Sequence, residues 1–276
     1  FKSCHEPYAF PDRHASLYRH TRIPEPDTLF EEDMPHAKAK RAIYQKLVKD
    51  YLRAVAAIDD NVGRILDYLE EAGLAENTLV IYTTDQGYFL GEHGLKDKRF
   101  MYEEALRMPF VARLPGRIPA GTVCRDIALN VDYAPTFLDY AGVDVPDEMQ
   151  GRSIRANLER RPGVRGRKEM YYHYWPVGHW MAPAQYGIRT RRYKLMFCYG
   201  LYMFGAPERN IPDGYSGWEL YDLEEDPEEI HNVYGKGAYS EIQRSLKRRL
   251  LRLKEELGDR DKDHPEIVNV REAHWD

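Results

Sequence analysis

The sequence predicts an α/β protein in two parts. Residues 1–151 read as a helix-packed layer with a parallel sheet, and residues 152–276 as a small antiparallel sheet plus helix. Three observations predict this. From His36 to Ala72 the apolar residues recur every three or four positions, the period of a helix with one buried face. Two β-prone runs, Thr78–Thr84 and Pro109–Leu114, follow it. Beyond Gly151 the chain breaks into short strand-like runs that close on one amphipathic stretch.

Each element has its own signals. Residues 1–34 are rich in Pro, His and Tyr and read as irregular loop. The long helix places Ile43, Leu47, Tyr51, Val55, Ile58, Val62, Ile65 and Leu69 on its apolar face, and Gly73 stands where a stop belongs. Leu79-Val80-Ile81-Tyr82 is continuously apolar, as expected of a strand buried on both faces. Pro115-Gly116 ends the second run, and Asp132 is placed to cap a helix through Tyr140 that Gly142 closes. Residues 152–168 gather Arg152, Arg155, Arg160, Arg161, Arg165, Arg167 and Lys168 around Pro162-Gly163 and read as a solvated linker, or as a stretch that could attract a polyanionic glycan by long-range charge. Strands are predicted at Met170–Trp175, Tyr186–Thr190, Tyr193–Tyr199 and Trp218–Asp222, with a hairpin turn at Arg191-Arg192. A last helix, Tyr239–Leu257, aligns Ile242, Leu246, Leu250, Leu253 and Leu257 and stops at Gly258.

Composition narrows the function classes. With 43% hydrophobic and 31% charged residues the chain is globular rather than disordered. A formal net charge of -5 argues against a dedicated nucleic-acid binder. Cys4, Cys124 and Cys198 form no close-spaced pair, so neither a zinc cluster nor a disulfide framework is indicated. No apolar run approaches the ~20 residues that span a bilayer.

The segment Thr83-Thr84-Asp85-Gln86-Gly87 carries the strongest chemical signal. Ligand sites of parallel sheets lie beyond the carboxyl ends of strands, and a carboxylate beside an amide oxygen suits a hard cation such as calcium. The same residues also suit a polar turn at a strand end. Lys96, Lys98 and Arg99 follow closely; they could neutralise an anion near a metal, or form a solvated loop.

Taken together, the segments Asp59-Asp60-Asn61-Val62-Gly63, Thr84–Gly87, Gly91-Glu92-His93-Gly94, Lys98 with Tyr102-Glu103, and Arg107–Phe110 resemble the type I sulfatases of the alkaline phosphatase superfamily. Cys4-His5-Glu6-Pro7-Tyr8, Tyr186–Thr190 with Tyr193-Lys194-Leu195, and Glu219–Leu223 with Asp226-Pro227 and Asn232 extend the resemblance along the chain. It implies a partial alkaline-phosphatase-like sandwich. It also implies that Asp85 and Gln86 are two of four protein ligands to Ca2+, that Lys98 bridges the sulfate and the nucleophile, and that His5 contacts the sulfate and the leaving oxygen. His93 and the pair Asp59-Asp60 are expected to be structural. His179 and Arg189, among the aromatics of 171–189, are the expected substrate contacts, and the implied substrate is a sulfated carbohydrate such as 6-sulfated N-acetylglucosamine.

The family's nucleophile is a formylglycine made from Cys/Ser-x-Pro-x-Arg, and no cysteine or serine here stands in that motif. The chain therefore resembles the C-terminal portion of a sulfatase. By itself it is expected to be inactive, to bind calcium weakly, and to associate with a nucleophile-bearing segment or with itself to cover apolar surface. The family implies a periplasmic or extracellular setting. Two alternatives stay open: a phosphonate or phosphate ester hydrolase of the same superfamily, and a non-catalytic carbohydrate-binding remnant.

Overall fold

The computed structural model describes residues 4–30, 41–175, 182–200 and 216–275. Helix α1 (Arg41–Glu71) carries the predicted period, but its buried stripe is Tyr44, Val48, Ala54, Ala57, Ile58 and Leu69. Ile43 and Ile65, expected on that face, are exposed. Ala54 and Ala57 lie on the buried side, which the bulky apolar residues alone do not mark. Gly73 ends the helix in the left-handed conformation at φ 67°, with the Leu74 N–H donating to the Leu69 carbonyl at 2.8 Å.

Strand β1 (Val80–Thr83) forms where the apolar run predicts it, but its pairing differs. Short strands β2 (Phe89–Leu90) and β3 (Lys96–Asp97) pair with each other. After the one-turn helix α2 (Glu103–Leu106), strand β4 (Phe110–Arg113) returns antiparallel to β1, with Val80 opposite Arg113 and Thr83 opposite Phe110. The α/β class stands, but the expected parallel pairing does not hold among the described strands. Nor is β1 buried on both faces: all four of its residues are half-buried, and Val111 on β4 is 63% exposed. A two-stranded ribbon has two free edges, so continuous apolarity here does not reflect burial within the described residues.

The chain divides into two units: Phe1–Lys98 with Met108–Ala120, and Arg99–Arg107 with Gly121–Asp276. In the first, Gly91 has φ 132° and sits so close to α1 that a methyl group would lie 2.7 Å from the Tyr44 ring. In the second, α3 (Tyr133–Ala141) ends at Gly142 in the left-handed conformation. Asp132 does not cap it. Its carboxylate instead accepts the Arg152 N–H at 2.9 Å and the Arg167 guanidinium at 2.6 Å. Residues 152–168 are thus fastened to α3, and include the short helix α4 (Arg155–Leu158), rather than forming a free linker.

Strands β5 (Glu169–Tyr174), β6 (Gln185–Thr190), β7 (Tyr193–Cys198) and β8 (Gly217–Asp222) form an antiparallel sheet in sequence order. The predicted hairpin joins β6 to β7. Period-two alternation puts Tyr186, Ile188, Leu195, Phe197 and Leu220 into one core with Leu246 and Leu250 of α5 (Ser240–Glu256) and Ile267 of α6 (Pro265–Glu272). Each fully buried leucine there contributes about 1.5–3 kcal/mol. Among the described residues, no helix is long and apolar enough to cross a membrane.

Candidate active site

His5 and Lys98, 93 residues apart in sequence, come together in the first unit. Lys98 Nζ lies 3.5 Å from His5 Nε2. The hydrogen-bond network fixes the ring's tautomer. His5 Nδ1 lies 2.8 Å from the Glu6 carbonyl oxygen, which can only accept, so Nδ1 carries the proton and Nε2 offers a lone pair towards Lys98. Lys98 also meets Asp97 Oδ1 at 3.0 Å and stands 5.9 Å from the centre of the Tyr88 ring. Lys96 is taken by Glu6 at 2.6 Å. The ammonium of Lys98 has three donors, and among the described residues two have partners, one of them at long range.

The backbone around both residues is unusual. Cys4, before His5, has φ 75°; Asp97 and Arg99, on either side of Lys98, have φ 85° and 96°. A non-glycine residue held in such regions costs on the order of 1–3 kcal/mol and persists only where the surroundings impose it. Sequence motifs give no hint of this strain.

Asp85 and Gln86 belong to the same unit and stand just beyond the carboxyl end of β1. Asp85 is exposed and Gln86 half-buried. The Thr84 hydroxyl donates to the Gln86 carbonyl at 2.5 Å, which pins the turn. A carboxylate and an amide oxygen side by side fit a hard cation, which takes about six to eight oxygens. Among the described residues no three His, Cys, Asp or Glu side chains cluster as metal ligands. Cys4, although near His5 in sequence, is no ready nucleophile, since burial pushes its thiol up and keeps it protonated.

The other sequence-predicted residues fall elsewhere. His179 lies outside the described residues. Arg189, on β6 of the second unit, directs its guanidinium at Glu103, with Nη2–Oε2 at 2.8 Å and Nε–Oε1 at 3.2 Å. Lys194, fully buried, completes this network at 3.0 Å from Glu103 and 2.7 Å from Glu229; both contacts are ion pairs aligned off the hydrogen-bond axis. Burial pushes Glu103 up, but Lys194 and Arg189 outweigh it and hold the carboxyl at about 2. His93 is buried, and its backbone N–H donates to Thr28 Oγ1 at 2.9 Å. Asp60 ties α1 to the preceding loop through Arg13 and His14, each at 2.9 Å.

A second histidine constellation sits inside the second unit. His173 Nδ1 lies 2.6 Å from Asp259, its Nε2 lies 2.8 Å from the Tyr199 hydroxyl, and its ring stacks on Trp175 at 3.8 Å. Lys254 approaches Asp259 at 3.2 Å. Burial pushes His173 down, so the ring is neutral, donating to Asp259 and accepting from Tyr199. Every ring nitrogen has a partner, and the cluster serves to join β5 to the end of α5.

Comparison with known proteins gives two overlapping family matches. The model of the Sulfatase family matches residues 1–143, and that of "N-sulphoglucosamine sulphohydrolase, C-terminal" matches residues 91–256. An N-acetylglucosamine-6-O-sulfatase of Bacteroides thetaiotaomicron is 44% identical over 229 residues, covering 82% of this chain and 38% of the relative. A structure solved in complex with its substrate D-glucosamine-2-N,6-O-disulfate superposes with a TM-score of 0.82 at 33% identity, over 95% of this chain and 65% of the other. A phosphonate monoester hydrolase of Silicibacter pomeroyi, 22% identical with a TM-score of 0.73 over 92% of this chain and 54% of the other, shares the fold. The chain thus spans well under half the length of the first relative and about two thirds of that of the first solved structure. With one family model covering the first half and a second covering most of the remainder, the chain belongs to the sulfatase family.

Proposed function

We propose that this chain supplies the leaving-group side of a carbohydrate sulfatase, with 6-sulfated N-acetylglucosamine as the preferred unit. The observation that carries this is the meeting of His5 and Lys98 on strained backbone, in a chain 44% identical to an N-acetylglucosamine-6-O-sulfatase.

Hydrolysis of a sugar sulfate breaks the S–O bond to the sugar oxygen, and that oxygen must leave with a proton. Lys98, with a donor to spare, neutralises the non-bridging sulfate oxygens as charge builds on them. His5 keeps Nδ1–H on the Glu6 carbonyl and presents Nε2; to act as the general acid, Nε2 first takes up a proton from solvent and then passes it to the departing sugar oxygen. Family membership is consistent with a metal cofactor. Asp85 and Gln86 would hold calcium through their side-chain oxygens, and the ion would supply further neutralisation of the sulfate. The nucleophile and the remaining ligands belong to the part of the sulfatase beyond this chain, with which it would associate. Arg189 and His179 are the proposed sugar contacts; for Arg189 this requires it to share its guanidinium with Glu103.

The test is sulfate release by the full-length protein from N-acetylglucosamine 6-sulfate, its 4-sulfated isomer and a phosphonate monoester. The reading predicts a strong preference for the 6-sulfate. Preference for the phosphonate would transfer the chain to the hydrolases that share the fold.

A further inference from the structure

Residues 152–168 carry seven basic residues against one acidic residue, Glu159, in a chain whose overall charge is -5. The fold concentrates this charge further. Asp126 is the hub: it accepts a hydrogen bond from Asn157 Nδ2 at 2.8 Å and pairs with Arg191. Gly166 lies against it, so close that a methyl group there would sit 2.2 Å from the Asp126 carboxylate. Arg160 Nη1 reaches the Val123 carbonyl at 3.3 Å, and Ile127 forms a β-bridge with Arg167. The segment 123–127 is thereby laced to 157–168, so the stretches that carry Arg125, Arg160, Arg165 and Lys168 lie side by side in the second unit, with Arg191 tied to them through Asp126.

Their charges are unequally matched. Arg155 is held by Asp139 and Glu159, Arg161 by Glu159, Arg167 by Asp132 and Arg191 by Asp126. Arg125, Arg165 and Lys168 are exposed and have no carboxylate partner among the described residues, and Arg160 has only a carbonyl. Like charges held within about a Debye length of each other repel unless an anion sits over them.

We infer that this surface is a binding site for a sulfated polysaccharide. Of Arg125, Arg160, Arg165 and Lys168, three are arginines, whose planar forks match the paired oxygens of a sulfate group. The chemistry disfavours single-stranded nucleic acid, because residues 121–130 and 151–168 contain no Phe, Tyr or Trp on which a base could stack. The inference rests on the carbohydrate-sulfatase reading for its ligand, but its test measures binding and not turnover.

The experiment titrates fluorescently labelled heparin into the 276-residue chain and into its R125Q/R165Q/K168Q variant, at two salt concentrations. The unsubstituted chain is expected to bind, with affinity falling as salt rises, and the variant to bind at least about tenfold more weakly with a shallower salt dependence. An R19Q/R22Q/K49Q variant, which removes three cations from the first unit, serves as the control and is expected to bind as the unsubstituted chain does. The three substituted side chains are exposed, so thermal melts of the variant should match. Failure to bind heparin, or equal loss in the control, overturns the inference. Equally tight binding of single-stranded DNA that the same triple substitution abolishes would overturn the assignment to a glycan. Failure of the full-length protein to release sulfate from a sulfated monosaccharide would count against the function and leave this binding result untouched.

Discussion

Lys98 and Lys194 are both lysines beside carboxylates, and the difference between their surroundings separates chemistry from scaffold. Lys194 is fully buried between Glu103 and Glu229, with Arg189 closing the network. Lys98 is partly exposed, meets one carboxylate at 3.0 Å, faces a histidine at 3.5 Å, and sits on a backbone bent into φ values that cost energy. The two histidines contrast in the same way: His173 has a partner on each nitrogen inside the second unit, whereas His5 has Nε2 turned to a cation at long range. Where burial and partners are complete, a charge fixes the fold; where they are incomplete, it is available to a ligand.

Breaking each side of this comparison should give different losses. The largest is expected at His5. In the full-length protein His5→Asn should slow release from a sugar sulfate by about 10²–10⁴-fold, yet affect an activated aryl sulfate far less, because that leaving group needs no proton. Equal loss on both substrates would remove the general-acid role. On the scaffold side, Lys194→Met leaves Glu103 and Glu229 buried with half their counter-charge and should cost about 3–5 kcal/mol in denaturant unfolding. At the β1 turn, Asp85→Asn removes a charged oxygen ligand and should weaken calcium binding by the full-length protein about 10- to 100-fold, read by titration calorimetry.

Acid should sharpen the contrast with the smallest effect. Glu103 is held at about 2 in the folded chain against an unfolded value of about 4.3. Its contribution to stability is therefore full above the unfolded value and is lost as pH falls towards 2. His173 is pushed down by burial, so the unfolded chain takes up its proton first as pH drops below about 6.5, and stability declines from there. Unfolding midpoints followed from pH 7 to pH 3 should fall in two stages, the first flattened in His173→Gln.

Much of the first unit was legible because its signals are local. The period of α1, the apolar run of β1 and the polar turn at Asp85-Gln86 are each contained within a few residues. The rotation of α1 was not legible, since Ala54 and Ala57, which lie on its buried side, carry little weight in an apolar pattern. Strand direction was not legible either: β1 and β4 have the composition of parallel strands, but direction depends on which strand lies alongside. At the site, motif order brought His5 and Lys98 forward together, while the left-handed residues around them have no sequence signature. Arg189 stood in a recognisable motif, but its engagement with Glu103 depends on a contact across 86 residues.

The central claim is that Lys98 serves the reaction and not the fold. The most direct measurement is kcat for N-acetylglucosamine 6-sulfate in full-length Lys98→Ala, together with its unfolding midpoint. The account predicts kcat lower by about 10²–10³-fold with the midpoint essentially unchanged. Retained turnover, or a midpoint that falls as far as that of Lys194→Met, would contradict it.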